Sequence, residues 1–317
     1  MANLNVAVIA PNDYAKDLGK KGTASDITLY DLKQGNDTVT LVEPTKYPER
    51  LAPLFFATSM ADRALVVVDA INSQFGECIV MLQCAGVGKG YFILRNFIQP
   101  DQVAPLIKGT VLESYRFLDE DKVAIREMLL KEAREEVRTE DTAPGAVPID
   151  HFFNVKGVGT VVLGHVAKGT IHRHDDLAAL PTTKVAQVRS IQKHDDDFEE
   201  AGRGDRVGLA LRNIDVESLD RGYVLTKDPQ MRSEVEVTVT AELVNYWKHP
   251  IKEGMVLHLG HWMQFIPARV TGASGDAKRP SVTLSLEKPV VHPPGSRCVL
   301  MYLEGGKLRV AGWATLP

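Results

Sequence analysis

The chain has few cysteines and no long apolar run. Its 317 residues include three cysteines, and an odd number argues against a disulfide framework. Cys78 and Cys84 lie in the apolar segment CIVMLQC, which favours buried thiols over metal ligands. No apolar run approaches the roughly 18 residues that a membrane helix requires, and the N-terminal segment lacks the order of a secretory signal. We therefore expect a cytoplasmic protein with no membrane partner.

The chain also lacks a strong excess of either charge. It has 37 basic and 41 acidic residues, for a net charge of −4. This balance excludes binding to nucleic acid through general attraction for the phosphate backbone. We therefore expect no DNA partner, and an RNA partner would have to be held by a few placed residues.

Histidine is missing from the chain before His151. The first part of the sequence therefore lacks the side chain that most often transfers protons at neutral pH. Further on, HRHDD at residues 172–176 offers possible metal ligands, but it follows a predicted strand in a turn and has no matching ligands elsewhere. No Ser-His-Asp or Cys-His arrangement has a spacing that would support a nucleophile. We expect no catalytic residue, no bound metal and no cofactor.

Three patterns of apolar residues divide the chain. Residues 1–142 alternate short apolar strands, such as NVAVIA and RALVVVDA, with amphipathic segments, which predicts a parallel sheet covered by helices. Residues 147–228 and 231–317 instead contain short alternating runs separated by glycine turns, which is typical of small β-barrels. The sequence therefore predicts one α/β domain followed by two all-β barrel domains.

Directly after its first predicted strand, the chain carries an altered phosphate-binding loop. Such a loop needs Gly, four residues, Gly, Lys and then Ser or Thr. The segment APNDYAKDL has Ala10 and Ala15 at the glycine positions, keeps Lys16, and has Asp17 at the hydroxyl position. A Cβ strains a backbone that must turn its N–H groups inward. The Asp17 carboxylate would repel a phosphate oxygen about 4 Å away by a few kcal/mol.

The second unit carries a resemblance to a known family. The segments FNVKGVGTVVLGHVAKGTI, VRSIQKHDDDFEEAGRGDRVGLAL and SLDRGYVL resemble the second domain of translational GTPases of the elongation factor Tu class. They are most similar to the selenocysteine-specific elongation factor of archaeal and eukaryotic kind. The third unit is similar in pattern only, and the first in the order of its elements. The resemblance implies a degenerate P-loop GTPase-like α/β domain followed by two elongation factor Tu-like barrels.

The nucleotide motifs of that family are altered in this chain. The family's Asp-Ala-Pro-Gly-His falls on EPTKY, where Glu43 keeps an acid, Lys46 replaces the glycine that senses the γ-phosphate, and Tyr47 replaces the histidine that positions water. The family's Asn-Lys-x-Asp falls on residues 95–98, which lack the acid that binds guanine. We therefore predict a degenerate nucleotide site without GTP hydrolysis. Its residues are Ala10, Ala15, Lys16, Asp17, Glu43 and Lys46.

The second unit keeps the residues that line the aminoacyl pocket of the selenocysteine factor. Asp150 and His151 in PIDHFF and Arg206 in GDRVGLAL fall on that pocket. An acid between two cationic groups can hold them toward an anionic aminoacyl group. The residues alone favour a turn-capping Asp150 and a solvated strand-end Arg206, and the aminoacyl pocket is what the resemblance implies. Arg189 falls where elongation factor Tu has a Glu that packs on the terminal adenosine, so the resemblance implies that it too contacts tRNA.

In the third unit, the segment HLGHWMQF places His258, His261 and Trp262 on a predicted strand. These side chains either fill the barrel or stack on the acceptor arm or T-arm of tRNA. Both interpretations are compatible with the pattern.

Together these observations predict a translation elongation factor-like protein that lacks GTPase activity and binds tRNA or aminoacyl-tRNA through its barrels. One alternative is a divergent GTP-binding translation factor with slow GTPase activity. Another is a protein-docking partner in the translation machinery that binds no RNA itself. We also predict that Lys16 pairs with Asp13, Asp17 or Glu43, that Arg221 lies on the outer surface, and that the domains hold one fixed arrangement.

Overall fold

The first unit is built on a seven-stranded sheet in a computed structural model that describes residues 2–136, 143–248 and 250–317. Its strands are β1 (Ala2–Ile9), β2 (Lys20–Ala24), β3 (Thr28–Gln34), β4 (Asp37–Glu43), β5 (Arg63–Val68), β6 (Gly90–Leu94) and β7 (Arg116–Leu118). Their order across the sheet is β2-β3-β4-β1-β5-β6-β7. From β4 to β7 the neighbouring strands pair in parallel, whereas β2 and β3 join by antiparallel pairing. The buried central strands explain the continuous apolar runs in the sequence.

Helices cover both faces of this sheet. They are α1 (Ala52–Ser59), α2 (Ser73–Ala85), α3 (Pro100–Ile107) and α4 (Lys122–Glu135). α2 begins where the Asn72 side chain accepts the N–H of Phe75 and ends at Gly86, whose φ of 78° lies in the left-handed region. α1 and α2 pack on the face that contains Ala7, and α4 packs on the opposite face with Val6. The first unit is therefore an α/β layer structure, as predicted.

The second unit is a small closed barrel. Its strands are β8 (Ala146–Val155), β9 (Gly159–His165), β10 (Thr170–His172), β11 (Asp176–Leu180), β12 (Val185–Lys193), β13 (Asp196–Phe198), β14 (Glu200–Gly202), β15 (Arg206–Arg212) and β16 (Val224–Thr226). The ring runs β11-β16-β8-β9-β15-β12, and pairing between β11 and β12 closes it. Side chains alternate between a buried interior and an exposed exterior along β12, as the alternating sequence predicts.

The third unit is also a closed barrel of six strands. They are β17 (Arg232–Leu243), β18 (Val256–His261), β19 (Gln264–Gly275), β20 (Pro280–His292), β21 (Arg297–Met301) and β22 (Val310–Thr315). The order around the barrel is β17-β20-β19-β18-β21-β22. In residues 2–136, 143–248 and 250–317, no helix is long and apolar enough to cross a membrane.

Extensive contacts hold the three units together. α1 and α2 pack with the third barrel in one continuous apolar core. Beside this core, the buried Glu77 carboxylate accepts hydrogen bonds from the Arg309 guanidinium at 2.6 and 3.0 Å. The first and second units meet where the Asn5 amide donates to the Gly204 carbonyl at 3.0 Å. The third barrel contributes Met263, Val299, Met301 and Val310 to the shared core.

Candidate functional site

The altered phosphate loop forms a short turn of 3-10 helix. After β1 the chain turns at Asp13, whose φ of 64° is left-handed, and the 3-10 helix spans Tyr14–Asp17. The next strand, β2, begins at Lys20. A working loop instead leads into an α-helix, whose N-terminal N–H groups and dipole bind phosphate. The segment between β1 and β2 is too short to supply that helix.

A carboxylate of the protein itself binds the N–H groups of this turn, which we call the phosphate turn (Asn12–Asp17). Glu43 ends β4, beside β1 in the sheet, and is buried. Its Oε1 accepts the Ala15 N–H at 2.6 Å and its Oε2 accepts the Asp13 N–H at 3.2 Å. Burial raises the pKa of Glu43, and hydrogen bonds from the Ala15 N–H, the Tyr30 hydroxyl and the Asp13 N–H only partly oppose this effect. The Glu43 carboxyl group therefore occupies N–H groups of the turn that follows β1.

The predicted pairing of Lys16 is wrong. Within the described residues, no ion pair joins Lys16 to Asp13, Asp17 or Glu43, and Lys16 is exposed. It lines an open groove of about 650 Å³ between the first two units. Asp13 instead lies 3.8 Å from the Lys21 ammonium. The 3-10 helix turns the Lys16 side chain outward because its neighbour Ala15 takes the buried position.

Residues at the other two predicted nucleotide motifs, EPTKY and residues 95–98, make contacts within the protein. Lys46 is exposed, and the Tyr47 hydroxyl donates to the Gln74 carbonyl at 3.0 Å. At the predicted guanine position, the Arg95 guanidinium donates to Glu120 at 2.7 Å. Phe97, nearby on the same loop, is 96% exposed, with a left-handed φ of 62°. These side chains provide no carboxylate aimed at a guanine base.

Three of the predicted aminoacyl residues form one cluster, which we call the Asp150 cluster. The Asp150 side chain is fully buried on β8. Both of its oxygens accept from the Arg206 guanidinium, one of them at 2.9 Å, and its Oδ1 lies 2.6 Å from His151 Nδ1. Burial opposes the ionisation of Asp150, but the charge of Arg206 and the hydrogen bonds from His151 and Arg206 outweigh it and lower the pKa of Asp150. The cluster is therefore an ionised carboxylate held between cationic or proton-donating groups.

A turn of the first unit covers this cluster. His151 Nε2 lies 2.9 Å from the Ser25 hydroxyl in the turn between β2 and β3. Arg221 spans the same junction: its Nη1 donates to Asp26 at 2.7 and 2.9 Å, and its Nε donates to the Asp150 carbonyl at 3.0 Å. The prediction that Arg221 lies on the outer surface is therefore wrong, because its side chain is only 25% exposed and bridges two units.

Sequence reasoning missed the covering turn entirely. Arg221 and Asp26 are 195 positions apart, and no short-range pattern connects them. The available signal was the polar pair Ser25 and Asp26 between two predicted strands, which marks a turn but not its contact.

Arg189 does not join the Asp150 cluster. It is exposed on β12, at an irregularity in the pairing of β12 with β15, and its guanidinium donates to the Val158 carbonyl at 3.2 Å. In the third barrel, His261 is buried and stacks on the half-buried Trp262 with ring centroids 4.5 Å apart. The HRHDD segment holds His172 near Asp175 and Glu200, and no group of metal-ligating side chains occurs in the described part of the chain.

Comparisons with known proteins agree with this architecture. The family described as elongation factor Tu domain 2 matches residues 159–226. The chain is 37% identical to an uncharacterized protein of Methanocaldococcus jannaschii, with 94% of each chain covered. It is 26% identical to the selenocysteine-specific elongation factor of the same organism, covering 97% of this chain and 74% of that protein. Translation elongation factor SelB of Methanococcus maripaludis, in complex with the GTP analogue GppNHp, has the same fold, with a TM-score of 0.83 at 22% identity over 100% of this chain and 79% of that one.

These matches define the class of the protein. The chain belongs to the same family as the Methanocaldococcus jannaschii protein that it matches over almost its full length. It contains an elongation factor Tu domain 2 and is a homologue of the selenocysteine-specific elongation factor, as the resemblance predicted.

Proposed function

We propose that the protein is an elongation-factor-like binding protein that neither binds nor hydrolyses GTP, and that it holds tRNA or aminoacyl-tRNA through its barrels. It would act in the cytoplasm as a component of the translation machinery, without a cofactor. The observation that carries the first part is the Glu43 carboxylate, which accepts two N–H groups of the phosphate turn.

GTP would have to displace Glu43 in order to bind. A phosphate placed at the N–H groups of Ala15 and Asp13 would occupy the position of a buried carboxylate. If that carboxylate stayed nearby, two anions would share one site, which costs a few kcal/mol at an effective dielectric near 20. If it moved, a buried carboxylate would lose its hydrogen bonds. Asp17 adds a further negative charge at the end of the same turn.

The contacts between units support a protein that does not cycle. In a switching factor the γ-phosphate orders loops that reposition whole domains. Here the helices of the first unit share an apolar core with the third barrel, and Glu77 pairs with Arg309 across that junction. Separating the units would expose this core to water, which disfavours a second arrangement.

The Asp150 cluster supports the second part of the proposal. Its carboxylate holds Arg206 and His151 in fixed orientations, so that the two could face an anionic aminoacyl group. Entry of that group requires the turn at Ser25 and Asp26 to separate from His151. Affinity for charged tRNA should therefore be micromolar at best, and it should weaken with salt.

The same covering turn favours a second candidate function. The Arg206 and His151 side chains are only 11% and 14% exposed. A cluster covered in this way would serve as a brace between two units, in a protein that docks on a protein surface of the translation machinery and binds no RNA.

Titration calorimetry with GTP, GDP and ATP in magnesium tests the first part. We expect no dissociation constant below about 1 mM, which corresponds to roughly −4 kcal/mol. Micromolar binding of any of the three would contradict the proposal and favour a divergent GTP-binding factor.

Filter binding with charged and uncharged tRNA tests the second part. We expect the charged form to bind more tightly, and His151→Ala to reduce that preference, because it removes a group that faces the aminoacyl position without leaving Asp150 unpaired. Arg212→Ala is the matched control, because Arg212 is exposed at the other end of the strand that begins at Arg206. Equal affinities for both tRNA forms, unchanged by His151→Ala, would favour the protein-docking function.

A further inference from the structure

A polar cavity of about 380 Å³ lies where the three units meet, apart from the phosphate turn and the Asp150 cluster. Its volume is at the lower end of the range for small-molecule sites. None of the residues that line it is acidic. They include Phe55, Ser59 and Ala85 of the first unit, Arg203 of the second, and His261, Trp262 and Arg297 of the third.

His261 presents a hydrogen-bond acceptor without a partner at this cavity. Its Nδ1 lies 3.0 Å from the Arg297 carbonyl, which can only accept, so Nδ1 carries the proton. Burial lowers the pKa of His261 to about 4, which keeps the ring neutral at pH 7. The buried Nε2 is then a bare lone pair, and it has no hydrogen-bond partner in the described part of the chain. Such an atom is costly unless a donor reaches it.

Two guanidinium groups with no carboxylate partner border the same cavity. Arg203 is exposed, and Arg297 is held by its Nε donating to the Cys84 carbonyl at 2.7 Å and by stacking 3.8 Å from the centre of the Trp313 ring. Within the described residues, neither arginine lies within ion-pair distance of an acid. The two positive charges, one from each barrel, are therefore available to an anion that enters the cavity.

Trp262 adds a flat apolar surface beside these polar groups. Its backbone is left-handed, with a φ of 50°, and its half-buried ring stacks on the His261 ring. The φ of a bulky residue in this region is uncommon and accompanies functional or strained turns. Here the strained turn holds the indole at the edge of the cavity.

We propose that this cavity binds a small phosphate monoester that carries hydroxyl groups, such as a sugar phosphate or a nucleoside monophosphate. The phosphoryl oxygens accept from Arg203 and Arg297, and the ring of the ligand lies on Trp262. A hydroxyl donates to His261 Nε2 once a small shift of the His261 ring opens that buried atom to the cavity. A phosphoryl group suits two separate guanidinium groups because it offers them three acceptor oxygens. The ligand would contact all three units and favour their observed arrangement.

Titration calorimetry with ribose 5-phosphate and AMP tests this proposal, with ribose and adenosine as probes that lack the phosphate. We expect the two phosphate esters to bind with submillimolar dissociation constants and the two uncharged probes not to bind. Arg203→Ala should weaken binding of both esters by about tenfold or more, because it removes a charge-assisted hydrogen bond. Arg212→Ala, which changes an exposed arginine of the same barrel, should leave both affinities unchanged.

A second variant separates the hydroxyl contact from the charge contact. His261→Asn keeps a donor for the Arg297 carbonyl but removes the acceptor at Nε2, so it should weaken ribose 5-phosphate and leave inorganic phosphate unchanged. Thermal unfolding of each variant checks that it is folded. Absence of binding by either ester to the wild-type protein, or binding that Arg203→Ala leaves unchanged, would overturn the proposal. Neither outcome involves tRNA or GTP, so the test is independent of the proposed function.

Discussion

Glu43 in the phosphate turn and Asp150 in the second barrel are both almost fully buried carboxylates, but their pKa values move in opposite directions. The groups that hydrogen-bond to Glu43 are neutral, namely the N–H groups of Ala15 and Asp13 and the Tyr30 hydroxyl, so burial dominates and raises the pKa of Glu43. Asp150 is paired with Arg206 and His151, whose combined effect outweighs burial and lowers its pKa. The comparison teaches that equal burial has opposite consequences when the partners differ in charge.

The same comparison shows that the two sites differ in what blocks access to them. At the phosphate turn, the protein's own Glu43 carboxyl group accepts the N–H groups of Ala15 and Asp13. In the Asp150 cluster, the charged groups remain in the arrangement that the resemblance implies, and a turn from another unit covers them. If the proposed function holds, we expect the phosphate turn to exclude GTP and the Asp150 cluster to be less accessible to a ligand.

The largest expected effect comes from Arg206→Ala. This change leaves the buried Asp150 carboxylate without its main counter-charge, so we expect a loss of about 3 to 5 kcal/mol in the free energy of unfolding. Urea unfolding measures it, and Arg212→Ala on the same strand should change stability by no more than about 0.5 kcal/mol. A loss below about 1 kcal/mol for Arg206→Ala would show that the pair is not needed to stabilise Asp150.

The pH dependence of this loss follows from the lowered pKa of Asp150. A carboxyl group whose pKa is lowered by folding stabilises the protein fully above its pKa in the unfolded chain, which is about 3.9 for Asp. This stabilisation is lost as pH falls through the pKa of the folded state. The difference between wild type and Arg206→Ala should therefore be largest near neutral pH and shrink in acid. A difference that grew on acidification would contradict the charge assignment.

Glu43→Ala should have the next largest effect. It leaves the N–H groups of the buried Ala15 and the exposed Asp13 without their carboxylate acceptor, so we expect a loss of about 1 to 3 kcal/mol. GTP should still not bind to the variant in titration calorimetry, because Ala10, Ala15 and Asp17 remain and no helix follows the turn. Restored binding at micromolar GTP would show that Glu43 alone closes the site.

Glu43→Gln tests whether folding raises the pKa of Glu43. Because that pKa is raised in the folded protein, Glu43 contributes fully to stability below the pKa of about 4.3 that it has in the unfolded chain. This contribution declines as pH rises through the pKa of the folded protein. The stability of wild type relative to Glu43→Gln should therefore fall in urea unfolding as the pH rises above about 4.3. A relative stability that rises over this range would mean that the turn stabilises the ionised carboxylate.

Arg221→Ala should have a smaller effect. The guanidinium bridges Asp26 and the Asp150 carbonyl but remains partly exposed, so we expect a loss of about 1 kcal/mol. Amide hydrogen exchange should become faster in β2 and β3, because the turn between them loses its tie to the second barrel. Exchange that is unchanged in these strands would show that other contacts hold the covering turn.

The smallest expected effect is none at all. Small-angle scattering should give the same profile with and without a GTP analogue, because the shared core joins the first unit to the third barrel and, on the proposed function, the analogue does not bind. A measurable change in the radius of gyration would contradict both statements.

The fold could be predicted from sequence to a large extent because its elements depend on local patterns. Continuous apolar runs such as NVAVIA mark strands buried on both faces, and alternating runs such as VAQVRSIQK mark barrel strands with one face inside. The contacts of individual side chains could be predicted only in part. Asp150 and His151 are adjacent in the chain, and the resemblance placed Arg206 with them. The pairing of Lys16 was predicted wrongly, because it depends on which way a short 3-10 helix turns its side chains.

The sequence by itself determined the class of the protein and the loss of the residues that a phosphate loop needs, because both are written in residue types at fixed spacings. Only the tertiary structure decided what replaced them. Glu43 meets Ala15 because β4 lies beside β1 in the sheet, and Arg221 meets Asp26 because two units pack against each other. Contacts of this kind depend on the packing of distant segments, and a local pattern carries no information about which distant groups will be brought within hydrogen-bond distance.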